Sequence, residues 1–191
     1  MKTLKNFFNN AVEKMSFKVV ILVTLNFLFW LWLIDYSPIG VAGLLKVTNG
    51  VSILDFETRY SVDFAYNFLA SMGEAGRAFH LFKIMPLDIF YPASFMLLQF
   101  CWMSYFLKKI TKKESNFRLL PILAIIYMLL DWTENIGITA MLINFPNQLP
   151  VVAVTTGMIT SIKLTVVATS LGVIGLTMLI SFIHYIKSKL H

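Results

Sequence analysis

Asp131, Glu134 and Asn135 stand three and four residues apart, a spacing that puts all three on one face of a helix. The stretch around them is otherwise apolar enough to cross a bilayer. An ionisable group at that depth is costly unless it is paired or reaches water, so such residues normally face a bundle interior or a cavity. Lys163 interrupts the next apolar stretch, and Asp88 stands near the start of an earlier one. Three carboxylates against one lysine leave a surplus of acid that a structural ion pair does not require. Carboxylates in an apolar site can hold or exchange protons, and a nearby ammonium keeps a partner ionised. These residue types therefore admit acid–base work on a lipid-like substrate, with Asp88, Asp131 and Glu134 as the catalytic groups.

If a helix from Glu74 continues almost straight into the second apolar stretch, Arg77, His80, Asp88 and Tyr91 follow one stripe. Thr160 lies one turn before Lys163. Asn135, Lys163, Arg77, His80, Tyr91 and Thr160 are thus the candidate binding residues, with Lys163 or Arg77 meeting an anionic head group. No resident cofactor is expected. A hard divalent ion such as Mg²⁺ or Ca²⁺ at Asp88, Asp131 and Glu134 is an alternative use of the same oxygens.

Each of these residues also has a plainer reading. Asp88 would favour the positive end of a helix, and Lys163 would snorkel to lipid head groups. Asp131 or Glu134 with Lys163 would form an ion pair that fixes helix register. Arg77 and His80 would be interfacial, and Gln99 and Asn26 would hydrogen-bond between helices. No nucleophile-elbow, zinc-protease or phosphate-loop motif occurs. His80, His184 and His191 lack metal-ligand spacing, and the single cysteine, Cys101, excludes a disulfide within the chain.

The elements that must hold these residues are helices in a membrane. A hydrophobic content of 58%, a charged content of 14% and a mean hydropathy of +0.74 exclude an ordinary soluble domain. The expected fold is an all-α membrane protein, a four-transmembrane-helix bundle forming a single transmembrane domain over 1–191. Its spans fall at about 18–35, 86–107, 119–142 and 151–186, each long enough for a hydrocarbon core. Leu4, Phe7, Phe8, Ala11 and Met15 recur at helical spacing and predict an N-terminal interfacial amphipathic helix, with Ser16 capping the helix that follows. A cleaved leader is the rival reading of the first span.

Residues 36–85 form the predicted external segment. Ser61 and Gly73 bracket a helix with Phe64, Phe68 and Met72 on one stripe, and a second short helix covers 74–85. Together they are expected to lie over the bundle as an external helical cap. Pro86 opens the second span, and Pro92 is expected to kink it. Counting from Leu119 at the 1.5 Å rise of a helix, Asp131 lies about 18 Å and Glu134 about 22 Å into the core.

The net charge of +6 is a matter of topology. Eleven of the 16 basic residues lie before the first span, between the second and third, or after the fourth. The positive-inside rule then makes both termini cytoplasmic and suits a bacterial plasma membrane. Nucleic acid is accordingly not an expected partner; membrane lipids, a lipid-like small molecule and a second copy of the chain are. The pocket would open outward, bind an amphiphile and process it. A proton-coupled transporter or conductor, and an accessory subunit of a membrane complex, are the alternatives.

The order of these residues resembles a group of small four-span membrane proteins with no assigned activity. The likeness runs from Gly73 to Lys163. It rests on Gly76-Arg77, Leu87-Asp88, Pro92, Leu120-Pro121, Asp131-Trp132-Thr133-Glu134-Asn135, Met141-Leu142, Pro146, Thr160 and Lys163. It implies that these positions belong together, and it implies no substrate or cofactor.

Overall fold

The computed structural model describes residues 2–57 and 59–190. Among them 83% are helical and none is in a strand, so the chain is all-α. The helices are α1 (Lys2–Lys14), α2 (Phe17–Leu31), α3 (Val41–Val47), α4 (Val62–Ser71), α5 (Gly73–Phe79), α6 (Met85–Leu87), α7 (Tyr91–Ile110), α8 (Ile122–Asn144) and α9 (Pro150–Leu190). Four helical stretches are long and apolar enough to cross a membrane, at Phe17–Val47, Gly73–Ile110, Asn116–Asn144 and Pro150–Lys189. The second therefore begins well before Pro86, because π-helical turns at His80–Ile84 carry α5 into α6 without a loop.

Helix α1 is held by its neighbours as well as by its own pattern. Phe8 and Val12 are fully buried, with Phe8 packed on Phe100, while Leu4 and Phe7 are exposed. The buried pair is one turn apart, and the expected Ala11 and Met15 are half-buried beside it. Glu13 accepts from Arg118 at 2.6 Å, and the Lys108 ammonium donates to the Glu13 and Met15 carbonyls. Ser16 then caps α2, accepting from the Val19 amide.

Helix α2 lies along α7 through aromatic contacts. Phe27 stacks on Phe95 at 5.0 Å, Trp30 stacks on Phe90 at 5.1 Å, and the Trp102 indole donates to Thr24. After a π-helical turn at Trp32–Tyr36 the chain reverses sharply. A Cβ at Gly40 would sit 2.0 Å from the Ile34 carbonyl oxygen, and one at Gly43 would sit 1.9 Å from that of Pro38. Only glycine permits this reversal, which folds α3 back against the end of α2.

Most of the buried apolar core gathers at the same end. Leu44 of α3, Leu54, and Ala65, Leu69 and Met72 around α4 meet Ile138 and Met141 of α8 and Ala153 of α9. Ser61 caps α4 as expected, and Gly73, at φ +66°, turns the chain into α5. The buried face of α4 carries Ala65, Tyr66 and Leu69, whereas Phe64 is exposed. Of the expected Phe64–Phe68–Met72 stripe, Met72 is buried in the core and Phe68 packs against it, while the Tyr66 hydroxyl accepts from the Leu149 amide at 2.7 Å on the buried face.

Helix α9 packs most closely on α8. A Cβ on Gly137 would stand 2.1 Å from the Thr156 hydroxyl oxygen, so the backbones approach as only small residues allow. At 41 residues, α9 extends about 60 Å, well beyond the length of α8.

Candidate functional site

One turn from the Gly137 crossing, the close approach of α8 and α9 brings their charges together. Lys163 reaches Asp131 at 3.1 Å and forms a second, closer ion pair with Glu134. Thr160 donates to the other Glu134 oxygen at 2.5 Å. All four side chains are buried, Glu134 and Thr160 completely. A carboxylate and an ammonium out of water are tolerated because each has several partners here.

Asp88 comes from a break in the membrane helix. The chain turns at Asp88–Phe90 between α6 and α7, which interrupts the helical backbone bonding of the carbonyls within it. Side chains of α8 supply partners instead. The Asn135 amide donates to the Asp88 carbonyl at 3.1 Å and to Asp131 at 3.3 Å, while the Trp132 indole donates to the Ile89 carbonyl at 3.0 Å. Non-helical backbone at membrane depth survives only with such substitutes. The break therefore lies at Asp88–Phe90 rather than at Pro92, which stands in the first turn of α7, where a missing amide hydrogen costs nothing.

Beside this cluster lies a cavity of about 250 Å³. Asp88, Asp131 and Lys163 line it, and so do Asp35 in the π-helical turn after α2 and Asp55 in the short helix Leu54–Phe56. Tyr91, Phe95 and Tyr127 supply aromatic walls. Asp55 is 7% exposed, and its Oδ1 has no hydrogen-bond partner among the described residues. Tyr60 packs beside the cluster, its ring against Gly157 of α9. Burial, with the Glu134 and Asp55 carboxylates close by, pushes the Tyr60 phenol above its ordinary range.

A second, larger hollow opens sideways between α6 and α8. It measures about 610 Å³ and is lined by apolar Leu81, Met85, Ile89, Trp132 and Ile136, with Thr139 at one side. Asp88 lines both hollows.

The candidate residues thus divide. Asp88, Tyr91, Asp131 and Lys163 line the cavity, with Glu134 and Thr160 bonded directly behind Lys163 and Asn135 bracing the helix break. Arg77 and His80 do not line it. The Arg77 guanidinium lies 3.9 Å over the Phe145 ring and donates to the Leu69 carbonyl, closing the end of α4. His80 is fully buried in the π-helical turn, and neither ring nitrogen has a partner among the described residues. Gln99 is likewise buried without a partner, and Asn26 is exposed, so neither makes the interhelical bond expected of it.

Asp35, Asp55, Tyr60 and Tyr127 are additions that the sequence reading missed. Asp35 ends the expected first span and Asp55 follows it, where acidic residues are ordinary, and only the fold of the 36–85 segment turns Asp55 inward. Among the described residues no three His, Cys, Asp or Glu side chains are arranged to hold a metal ion. The Lys163 ammonium instead stands between Asp131 and Glu134. Comparisons with protein-family models, with curated proteins and with solved structures found no match for this chain, so its function is argued from this geometry alone.

Proposed function

We propose that this multi-pass membrane protein binds a lipid-like amphiphile, with the polar head in the 250 Å³ cavity and the apolar tail in the lateral groove. The observation that carries the reading is the position of Asp88 on the wall of both hollows. A molecule with one polar and one apolar end can occupy the two together. The groove is lined by exposed Ile89 and Ile136, the surface a lipid tail would cross on entry.

In this reading Asp131, Glu134, Lys163 and Thr160 hold α8 against α9, and their mutual pairing occupies the oxygens that acid–base work would need. Asp88 and Tyr91 face the bound head. The concentration of basic residues around α1 and the 108–119 connection supports an inner position for that end, and hence an outward-facing site.

The test is retention of amphiphile by the purified protein, measured by native mass spectrometry. Thr139→Trp should fill the groove and abolish retention while leaving the melting temperature within a few degrees of the parent. Equal retention by the parent and a folded Thr139→Trp protein would rule out the groove as the tail site.

A further inference from the structure

We propose that the head group held in the cavity is an organic ammonium, a protonated or quaternary amine carried on an apolar tail; this rests on the amphiphile reading above. The first support is charge. Asp35, Asp55, Asp88 and Asp131 line the cavity, and the single cation among the described lining residues, Lys163, is already bound by Asp131 and Glu134. With Arg77 turned away onto Phe145, no free cation among the described lining residues awaits a phosphate or carboxylate head. An anionic head would meet uncompensated acid.

The second support is a buried acceptor. Asp55 is more than nine-tenths buried and lines the cavity, and its Oδ1 has no partner among the described residues. A native protein rarely leaves a buried carboxylate oxygen unmatched, and a ligand donor or a ligand positive charge is the complement it lacks.

The third support is aromatic. Tyr91, Phe95 and Tyr127 share the cavity wall, with Phe95 edge-on to Tyr127 at 5.1 Å and stacked with Tyr91 at 6.4 Å. Ring faces attract cations through their quadrupole, and an aromatic wall beside carboxylates is the recognised way to hold a quaternary ammonium. Size agrees. A cavity of about 250 Å³ falls below the roughly 300 Å³ lower end of pockets for whole drug-sized ligands. It takes a head group and leaves the tail to the groove.

The experiment uses the full chain in uncharged detergent micelles and three probes with the same twelve-carbon tail. Their heads are trimethylammonium, glycerol and phosphate. Saturable binding is read from tryptophan fluorescence, since Trp132 lines the groove. The ammonium probe should bind about tenfold more tightly than either of the others. Asp55→Asn should remove that preference, bringing the ammonium probe to within about twofold of the glycerol probe on the same variant. Asp35→Asn, at a half-buried position that tolerates change better, should reduce it. Equal binding of all three probes overturns the ammonium inference and leaves the amphiphile reading standing, as does tighter binding of the phosphate probe. Failure of all three to bind saturably, or binding unchanged in Thr139→Trp, overturns both.

Discussion

Lys163 is the residue on which the packing of α8 and α9 turns. It compensates two buried carboxylates at once, and its loss leaves Asp131 and Glu134 facing each other with no counter-charge. Lys163→Met should lower stability by about 3–5 kcal/mol, the usual cost of breaking a buried pair from one side. Adding Glu134→Gln to that variant should recover part of the loss, because one stranded charge is then gone. Unfolding in mixed micelles measures both; a neutral Lys163→Met would mean that the ammonium reaches lipid head groups instead. Asp131, Glu134 and Lys163 were legible in the sequence because charge inside an apolar run has few innocent explanations. Asp55 was not, since an acid in a turn-rich segment is unremarkable until the chain folds it inward. Arg77 looked like a site residue by helical periodicity. Its stripe bends away because π-helical turns at His80–Ile84 change the register between α5 and α6.

Two helix contacts position everything else. The α8–α9 crossing depends on Gly137, whose missing side chain leaves room for Thr156. Gly137→Ala should push the helices apart and cost about 1–3 kcal/mol, and Thr156→Ala should restore most of it. Thermal unfolding of the two single variants and the double variant gives the coupling. The α1 contact depends on Glu13, whose carboxyl is held below its usual value of 4.5 by the Arg118 hydrogen bond, against a smaller opposing effect of burial, with further help from the Arg118, Lys113 and Lys108 charges. A depressed folded value means that the contribution is present at neutral pH and lost as pH falls through the range below 4.5. Hydrogen exchange in α1 should therefore quicken with acidification in the parent and respond less in Glu13→Gln. Helix α1 was visible from its apolar spacing, and Phe8 of the expected stripe is buried, but Val12 was not anticipated, because the partner surface rather than periodicity buries it. Helix α3 was not anticipated, since Gly40 and Gly43 form close backbone contacts that only the folded chain reveals.

Across the entire chain, apolar length announced four spans, and the structure contains four helical stretches of that kind. The sequence alone did not reveal that the core is concentrated at one end. Residues 36–85 pack with the ends of α8 and α9 and so complete the cavity with Asp55, a long-range consequence that local patterns do not encode. A charged niche alone would suit an ion pair. A charged niche sharing Asp88 with an apolar lateral groove suits a molecule with two unlike ends. The most direct test is to soak crystals with a trimethylammonium amphiphile brominated at the tail and locate the bromine by anomalous scattering. The account predicts a single bromine peak in the groove between Met85 and Ile136, with the head group beyond Asp88 among Asp55, Tyr91 and Phe95. Bromine spread over the outer apolar surface, with the groove empty, would contradict it.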